Sequence, residues 1–445
     1  METEKFFVAI DLGSTKITGV LAQKTPEGKI VILACESVDK IKDIDKTASQ
    51  INWIVKKLNA HKILQENGLI INKIYAVLGG NLIKSVQNFV RRKFGNGMQI
   101  SQKLLEKMRD ENMELKIENA DVFEVFEQEY LVDDKIEKNP EGMTCSNLAG
   151  KYVVVYGDAH LKFYLEGLQK VGEVEFANKQ LAPYAMSQAA LTPEDIESGC
   201  VFVDFGAETT SVCVYCRGYL RQLFVQPVGD DDVTANIMNR LNVSQEDAEE
   251  LKINHGISMS EAEKIGRIML TKTDGENVLV AKNLLSQVIE ERIKCIWKNI
   301  WEKITEAGFS QYLETGFVIA GAGSKVKNLD KFIELQTNCT VSYADFSKYL
   351  ELGVNNKFDN FNNAVLTGLL RSADENCVVL PPPPPPPSDN EQKGIKKLKN
   401  WFDKVTKTDA SKEFIGKIKN ADMGKLFDDE SIDISSKKIK KSEII

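Results

Sequence analysis

The sequence contains 445 residues, 42% of them hydrophobic and 27% charged, which is ordinary for a globular protein and long enough for two to four domains or subdomains. Its formal net charge of −8 argues against general nucleic-acid binding, because that function requires a basic surface. The chain has no basic segment followed by a cleavable apolar one, no apolar run of about 18 residues and no repeating frame among its eight cysteines, so we expect a cytoplasmic protein with reduced thiols.

The first predicted feature is a pair of strands joined by a tight turn. Phe6–Leu12 is an apolar run typical of a buried strand, and Ile17–Gln23 predicts the strand after the turn. A glycine-rich turn after a strand lets backbone N–H groups approach phosphate oxygens, and Asp11 can hold Mg²⁺ through water. The candidate phosphate ligands of this turn are Gly13, Ser14, Thr15 and Lys16. Taken alone, the pattern fits an ordinary β-hairpin equally well.

Helices and strands then alternate until a polar segment interrupts them. The elements predicted in this part are a helix at Thr47–Asn67, a strand at Ile70–Leu78, a helix near Gln102–Asn112, strands near Val122–Leu131 and Tyr152–Tyr156, and a helix near Leu161–Val171. The segment from about residue 83 to 163 is rich in glutamate and lysine and departs from the earlier rhythm. It predicts a small α+β insertion within a larger α/β fold.

The pattern of the first hairpin returns in the second half of the chain. Val201–Phe205 predicts a buried strand and Ser211–Cys216 the strand that follows it, with a glycine turn between them. Asp204 follows Asp11 by 193 positions, which indicates an internal duplication and makes Asp204 a second candidate for Mg²⁺. The candidate phosphate ligands of this second turn are Gly206, Thr209 and Thr210.

A third turn of small residues follows a later strand. Beyond the second hairpin the predicted elements are helices at Ser244–Leu251, Ser258–Ile268 and Leu284–Ala307, a strand at Thr315–Gly321 and a helix at Lys325–Glu334. The turn before that last helix allows close approach of a ligand and offers helix N-terminal donors. Its candidate ligands are Gly321, Gly323 and Ser324. Because Val326 stands at the third glycine position, the turn is not a Rossmann fingerprint, and the chain has no GxxxxGK[ST] phosphate loop.

Taken in this order, the three turns resemble the two phosphate motifs and the adenosine motif of the superfamily of actin, heat-shock chaperones and sugar kinases. Leu181–Met186 resembles the connecting helix of that superfamily, and Glu249 with Lys252 resembles the pair that reaches the ribose and adenine. The resemblance implies an α/β, actin-like duplicated ATPase fold, with ATP and Mg²⁺ held between two similar halves.

Within the superfamily the chain resembles the bacterial cell-division family FtsA. Val125–Asp133 and Asn139–Met143 are similar to the inserted α+β subdomain of that family, called 1C, and Leu191–Gly199 and Pro227–Ile237 also fit its pattern. The resemblance covers residues 5–372. It implies subdomain 1A at residues 1–82 and 166–199, 1C at 83–165, 2A at 200–228 and 313–372, 2B at 229–312, a proline-rich linker at 373–392 and a basic amphipathic tail at 393–445.

The resemblance implies a protein that polymerises at the inner face of the cytoplasmic membrane, at the division septum. Such a protein tethers the FtsZ ring by binding the C-terminal tail of FtsZ, and it recruits later division proteins through subdomain 1C. Two departures from the superfamily concern hydrolysis: Ala207 and Glu208 stand where many relatives have glycines, and Ala182 stands where chaperone relatives have a water-positioning glutamate. We therefore expect ATP binding with at most slow turnover. The alternatives are a pilus-assembly actin-like protein and a small-molecule kinase of the same superfamily.

The C-terminal part begins with seven prolines, Pro381–Pro387, which form a semi-rigid spacer of about 22 Å at roughly 3.1 Å per residue. A basic amphipathic helix is predicted beyond them. Its apolar side contains Ile395, Leu398, Trp401, Phe402 and Val405, and its basic side contains Lys396, Lys397 and Lys399. This composition is typical of an anchor for anionic membrane lipid. A helix that docks on the protein itself or on a partner is the alternative, and the role of residues 408–445 stays open.

Overall fold

The computed structural model of the chain divides into two compact units, residues 1–381 and 382–445. The structure describes residues 4–13, 16–41, 43–80, 83–159, 167–168, 173–259, 266–273, 275–351, 358 and 363–381, which all belong to the first unit. The tail helix predicted around Ile395–Val405 lies outside the described residues, as do Ser14, Thr15 and most of the helix predicted at Leu161–Val171. None of the described helices is long and apolar enough to cross a membrane.

The described elements are numbered here in chain order. The strands are β1 (Phe6–Leu12), β2 (Lys16–Lys24), β3 (Ile30–Asp39), β4 (Ile70–Ile71), β5 (Lys73–Leu78), β6 (Lys84–Gln99), β7 (Ala120–Val132), β8 (Lys135–Glu137), β9 (Thr144–Asp158), β10 (Glu175–Leu181), β11 (Cys200–Phe205), β12 (Thr210–Cys216), β13 (Tyr219–Gln226), β14 (Arg267–Thr271), β15 (Asn277–Ala281), β16 (Gly316–Ala320), β17 (Val341–Tyr343) and β18 (Val378–Val379). The α-helices are α1 (Ile44–Asn59), α2 (Lys62–Glu66), α3 (Gln102–Met113), α4 (Ala182–Ala190), α5 (Pro193–Ser198), α6 (Asp230–Leu241), α7 (Gln245–His255), α8 (Lys282–Glu306), α9 (Leu329–Thr337) and α10 (Ala364–Ser372).

Two five-stranded sheets with the same topology form the body of the protein. The first has the order β3-β2-β1-β5-β10 and the second the order β13-β12-β11-β16-β17. In both sheets the first three strands in the chain are antiparallel neighbours, and the two later strands run parallel to the central one. The internal duplication predicted from Asp11 and Asp204 is therefore confirmed at the level of the whole sheet.

Burial on both faces explains the continuous apolar strands. Every residue of β1 is buried except Asp11, which is half-buried, as expected of a central strand covered on both sides. Helix α1 packs against β2 through buried residues such as Ile54. Its N-terminus is capped by Asp43, whose carboxylate accepts from Lys46 N at 2.9 Å. Gly19 on β2 lets α1 approach closely, because a β-carbon there would overlap Ile54.

Helix α4 connects the two halves, and α10 packs against it. Gly368 on α10 packs directly on the backbone of α4, where a β-carbon would overlap the carbonyl of Ala185. From α4, the hydroxyl of Ser187 lies 2.6 Å from the hydroxyl of Tyr215 on β12, and both residues are buried. This contact connects the first sheet's helix layer to the second sheet, so the halves share one apolar core beneath the hairpins.

The inserted α+β subdomain is confirmed. Strands β6, β9, β7 and β8 form a four-stranded antiparallel sheet in that order, and α3 packs against it. The insertion has a core of its own, whose buried members include Val90, Ile100, Leu105, Met108, Val125 and Leu148. The sequence analysis missed β6 because its polar residues obscure the alternation that indicates a strand. Within the described residues β6 pairs with β9 alone, so the strand lies at an edge.

The insertion also contacts the second half through β13. Arg221 is 5% exposed, and its guanidinium donates to both carboxylate oxygens of Glu129 and, at 3.1 Å, to Gln128 Oε1. Two residues further along β13, Leu223 N donates to Ser85 Oγ at 2.8 Å. A subdomain that is covalently part of the first half is thus held to the second half by a buried ion pair. We call the contact between Arg221 and Glu129 the insertion clamp.

Two predicted helices differ from the structure. The helix predicted at Thr47–Asn67 is divided at Ala60 into α1 and α2. The helix predicted at Ser258–Ile268 is wrong at its C-terminal end, because Ile268 belongs to β14, which forms a hairpin with β15. Alternate residues of β14 are buried and exposed, which is the two-residue period of a strand that faces solvent on one side.

The described chain ends against the first sheet. Strand β18 is antiparallel to β4, with Val378 paired to Ile71. Just before it, Cys377 N donates to Phe6 O at 2.8 Å, and the Tyr75 hydroxyl accepts from Glu375 N at 2.8 Å. Residues 374–379 are therefore fixed to strands of the first half.

Candidate functional site

The first hairpin places Asp11 and a tight turn at the end of β1. A β-carbon on Gly13 would lie only 2.8 Å from Lys16 O and 3.8 Å from Asp11 Oδ2, so the turn folds back closely on itself. Lys16 opens β2 with an exposed side chain. The absence of a side chain at Gly13 leaves the backbone beside the carboxylate open to a ligand.

The second hairpin repeats this geometry. A β-carbon on Gly206 would lie 2.9 Å from Thr209 O and 3.9 Å from Asp204 Oδ2, which matches the first hairpin to within 0.1 Å. Thr210, predicted as a phosphate ligand, opens β12 as a buried residue, and its hydroxyl donates to Val228 O at 2.8 Å. A contact between Thr210 and phosphate stays a prediction.

The two carboxylates interact electrostatically. Burial raises the pKa of Asp11 to about 6, although the charges of Lys40 and Lys16 oppose this effect. Burial, assisted by the negative charge of Asp11, raises the pKa of Asp204 to about 7. The two carboxylates are therefore close enough for the charge of Asp11 to disfavour ionisation of Asp204, and ionising either carboxylate costs free energy.

The third turn packs against the second hairpin. Gly321 has φ +86°, a conformation that favours glycine, and a β-carbon there would lie 2.5 Å from Asp204 Oδ1. Gly323 packs on Phe205, with its β-carbon position 3.1 Å from that of Phe205. Ser324 is buried and donates to Gly321 O at 2.8 Å, so its hydroxyl shapes the turn. A short 3-10 turn at residues 322–325 follows β16, and α9 begins only at Leu329.

The N-terminus of α6 is bonded to the second hairpin. Asp230 N donates to Gly206 O and Asp231 N donates to Ala207 O, each at 2.9 Å. Gly229 makes this approach possible, because a β-carbon there would overlap the carbonyl of Ala207. These two helix N–H groups are therefore used to hold the hairpin in place.

A buried polar network lies behind the hairpin. Lys252 is 4% exposed, and its Nζ lies 2.6 Å from Asp230 Oδ2, 2.7 Å from Thr234 Oγ1 and 2.8 Å from Glu249 Oε2. Burial raises the pKa of Asp230 in spite of Lys252. Burial also opposes ionisation of Glu249, but hydrogen bonds from Lys252 and Thr234 outweigh it and lower its pKa. The predicted pair of Glu249 and Lys252 is thus brought together with two residues that the sequence analysis missed.

Asp230 is the most informative of the missed residues. Its Oδ1 atom is buried without a hydrogen-bond partner among the described residues, beside Gly323. It borders a cavity of about 20 Å³ whose lining includes Gly229, Val233 and Ile296. The sequence did contain a signal that could have identified Asp230. It is the run of acidic residues from Asp230 to Asp232, because acidic residues are favoured at a helix N-terminus.

Glu208, Ala182 and Gln188 are the residues on which the expectation of slow hydrolysis depends. Glu208 is exposed at the tip of the second hairpin, and Ala182 is the first residue of α4. Gln188, further along α4, donates to the Tyr215 hydroxyl at 3.2 Å. Its amide is therefore engaged within the protein, which leaves the expectation of slow turnover as a prediction.

Comparison with known families identifies two matching segments. The family model described as "Cell division protein FtsA" matches residues 201–364, and the model described as "SHS2 domain inserted in FTSA" matches residues 80–156. The second segment contains most of the inserted sheet. Together the two models cover both the insertion and the half that carries the second hairpin.

Curated relatives extend the match over most of the chain. The cell division protein FtsA of Porphyromonas gingivalis is 24% identical over 333 residues, which is 72% of this chain and 69% of that protein. FtsA of Neisseria meningitidis is 22% identical, covering 75% of this chain and 82% of that protein, and FtsA of Escherichia coli is 23% identical, covering 73% and 80%.

A solved structure supports the fold. The PilM-PilN type IV pilus biogenesis complex matches with a TM-score of 0.55 at 13% identity, covering 82% of this chain and 97% of the matched chain. At that identity the likeness concerns the fold alone. With the duplicated sheets and the inserted subdomain, it confirms an actin-like ATPase fold.

Proposed function

Because this chain belongs to the FtsA family of cell-division proteins, we propose that it binds Mg·ATP between its two halves and connects the FtsZ ring to the cytoplasmic membrane. The observation that carries the nucleotide proposal is the pair of matching turns at Gly13 and Gly206, each beside a carboxylate. The relatives match over most of the chain, which supports the division role.

The carboxylates fit a magnesium ion. Mg²⁺ binds hard oxygen ligands, keeps several waters and is commonly held by one or two carboxylates together with substrate phosphates. Burial, and then the negative charge of Asp11, raises the pKa of Asp204, so the two carboxylates disfavour each other's ionisation. A divalent cation would offset this repulsion and supply a positive charge for the phosphates. Both residues are therefore proposed as metal-binding groups.

The remaining ligands are assigned by position. Backbone N–H groups around Gly13 and Gly206 would bind phosphate oxygens, with Lys16 as a nearby cation. The turn of Gly321 and Gly323 would face the adenosine. Glu249 and Lys252 would contact the ribose and adenine, and the network with Asp230 fixes their positions. Ser14, Thr15, Thr209 and Thr210 are retained as proposed phosphate ligands.

In this proposal ATP acts mainly as a conformational ligand. Binding across both hairpins would favour the closed arrangement of the two halves, because only that arrangement satisfies both turns at once. Closed subunits would polymerise, and many weak membrane anchors in one filament would together bind firmly. The anchor would be the basic tail helix, and later division proteins would bind the inserted subdomain.

Binding to FtsZ is the experiment that separates the division role from the alternatives. We expect the full chain to be retained by an immobilised peptide of the FtsZ C-terminus from the same organism. It should not bind a scrambled peptide of equal charge. Isothermal titration calorimetry would then give the affinity. A pilus-assembly protein or a small-molecule kinase would bind the two peptides with equal affinity or bind neither of them, and that result would refute the proposed tether.

A further inference from the structure

The outer side of helix α1 carries an exposed tryptophan among lysines. Trp53 is 43% exposed, and Lys57 Nζ lies 5.3 Å from the centre of its ring. Lys46 and Lys56 are exposed on the same side of the helix, because they lie two turns before Trp53 and one turn after it. The opposite side of α1 packs against the first sheet. We call the set of Lys46, Trp53, Lys56 and Lys57 the tryptophan face.

The tryptophan face is positively charged in an acidic protein. The whole chain has a net charge of −8, but residues 46–65 contain four lysines and no aspartate or glutamate. Among the residues that the structure describes, Lys46, Lys56 and Lys57 form no ion pair. Their charges are therefore available to an anionic partner.

The neighbouring carboxylates lie at the margins of the face. Asp45 is in the first turn of α1, about 12 Å along the helix axis from Trp53 at roughly 1.5 Å per residue. Glu66 on α2 pairs with Lys62 at 3.5 Å. Glu173 borders α1 on one side, where its N–H donates to a side-chain oxygen of the helix at 3.3 Å. The positive charge is therefore greatest toward the C-terminal end of α1.

That end of α1 lies beside the point where the described chain leaves the first half. Asn59, the last residue of α1, accepts a hydrogen bond from Ile71 N at 2.8 Å through its side chain. Ile71 is in turn paired with Val378 of β18. Two residues later Leu380 is 71% exposed, and the proline run begins at the next position. The basic end of α1 and the start of the linker to the predicted tail helix are therefore neighbours.

An anchored tail would make a weak contact at this face effective. The linker from Leu380 to residue 393 spans about 40 Å at roughly 3.1 Å per residue, so an anchored tail keeps the face close to the lipid. Each lysine near an anionic membrane strengthens attachment only about fivefold. A short tether supplies an effective concentration of millimolar order, which is sufficient to populate such a contact. Tryptophan adds to it, because its amphipathic ring favours the membrane interface.

We propose that the tryptophan face is a second membrane-contact surface, in which Lys56 and Lys57 bind anionic lipid headgroups and Trp53 enters the interface. This inference rests on the tail anchor of the proposed function and adds an orientation to it, with the first half turned toward the membrane. The predicted tail helix is a poor occupant of the face, because both are basic and repel each other.

Tryptophan emission in the presence of vesicles tests the contact. The full chain without nucleotide is mixed with vesicles of brominated phosphatidylcholine and phosphatidylglycerol, because bromine quenches tryptophan at short range. The difference between the wild type and Trp53→Phe isolates the emission of Trp53, since Trp297, Trp301 and Trp401 are common to both proteins. We expect the vesicles to quench the Trp53 emission, and unbrominated vesicles of the same charge to shift it to the blue.

A pair of charge variants makes the test specific. Lys56→Gln/Lys57→Gln should reduce the quenching of Trp53 and weaken sedimentation with the anionic vesicles about threefold, because the tail still binds. Lys103→Gln/Lys107→Gln removes two exposed lysines from α3 and is the matched control. It should leave the quenching and the affinity unchanged.

The outcomes separate the two proposals. If the wild type does not sediment with anionic vesicles, the tail anchor and this inference both fail. If the wild type sediments but vesicles quench it no more than Trp53→Phe, the anchor stands and the tryptophan face is overturned as a lipid surface. The inference is also overturned if the Trp53 emission shifts to the blue at rising protein concentration without lipid, because a second copy then covers the face.

Discussion

Asp11 and Asp204 occupy equivalent positions near the ends of β1 and β11, and their charges act on each other across the two hairpins. Each follows a buried apolar strand and precedes a glycine whose missing side chain opens the backbone. Local sequence is sufficient to specify such a site, because the end of the strand, the carboxylate and the glycine lie within a few residues of one another. For this reason both hairpins could be predicted before the structure was known.

Replacing Asp204 should weaken Mg·ATP binding. Asp204→Ala removes one of the two carboxylates proposed to hold Mg²⁺, so we expect at least a tenfold loss of affinity, about 1.4 kcal/mol, by calorimetry. Glu314→Ala, which removes an exposed carboxylate before β16, is the matched control and should retain the wild-type affinity. Full Mg·ATP affinity in Asp204→Ala would show that the cleft has been misinterpreted.

The nucleotide-free protein should lose stability as pH rises from about 4 to 7. Asp11 and Asp204 have pKa values of about 6 and 7 in the folded state, above the ordinary value of 3.8. In this window the folded state binds more protons than the unfolded state, so the free energy of unfolding falls with rising pH. Asp204→Asn should make the free energy of unfolding depend less on pH, and it should raise that free energy by about 1–2 kcal/mol at pH 8. Urea unfolding between pH 4 and 8 measures both effects. If the free energy of unfolding changed with pH equally in the wild type and in Asp204→Asn, the raised pKa assigned to Asp204 would be contradicted.

The network around Lys252 could be predicted only in part. The resemblance to the superfamily identified the pair of Glu249 and Lys252, and their spacing of three residues places both on one helix face. Asp230 and Thr234 reach Lys252 only because α6 packs against α7. Contacts between helices depend on tertiary packing, which no local pattern in this sequence reveals.

At the scale of elements, the strands that sequence analysis missed in the two main sheets are the edge strands of those sheets. Strands β3 and β10 border the first sheet, and β13 and β17 border the second. An edge strand has one neighbour and carries polar residues, so its apolar signal is weak. The central strands β1, β11 and β16 were predicted well because they are buried on both faces.

The tail helix is an element whose role rests on sequence alone, and its prediction is direct. Deleting residues 393–445 should abolish co-sedimentation with vesicles that contain anionic lipid, because the basic and apolar faces of the helix both contribute to binding. A Leu398→Gln/Phe402→Gln variant keeps every charge and should lose most of the binding. A variant with glutamine at Lys396, Lys397 and Lys399 should lose binding as well.

Vesicles of neutral lipid serve as the control for the tail. They should bind the full chain weakly, because the electrostatic attraction is missing. Undiminished sedimentation of the deletion variant with anionic vesicles would disprove the anchor. The helix would then be expected to dock on the protein or on a partner.

At the scale of the whole molecule, the insertion belongs to one half by covalent connection and to both by contact. The insertion clamp is buried, and burial alone would raise the pKa of Glu129, but the hydrogen bonds and charge of Arg221 lower it to about 2. The pair therefore contributes stability above the unfolded pKa of Glu129 near 4.5, and the contribution is lost as pH falls toward 2.

Breaking the insertion clamp should destabilise the protein and loosen the insertion. Arg221→Met leaves the Glu129 carboxylate unpaired, for which we expect a loss of about 3 kcal/mol at pH 7 in urea unfolding. Hydrogen exchange should increase in β7 and β13 together. Lys138→Met breaks an exposed ion pair, Lys138 to Glu197 at 3.5 Å, and should change stability by less than about 0.5 kcal/mol. Equal effects of the two variants would refute the special role of the clamp.

The pairing of β18 with β4 determines where mechanical load enters the molecule. Any pull on the chain beyond residue 381 passes through β18 and the bond from Cys377 N to Phe6 O into strands of the first half. The second half is not on this path. Traction from a tethered tail would therefore be carried by one half while the other stays free to move, so the protein could bear tension and still open or close around a nucleotide.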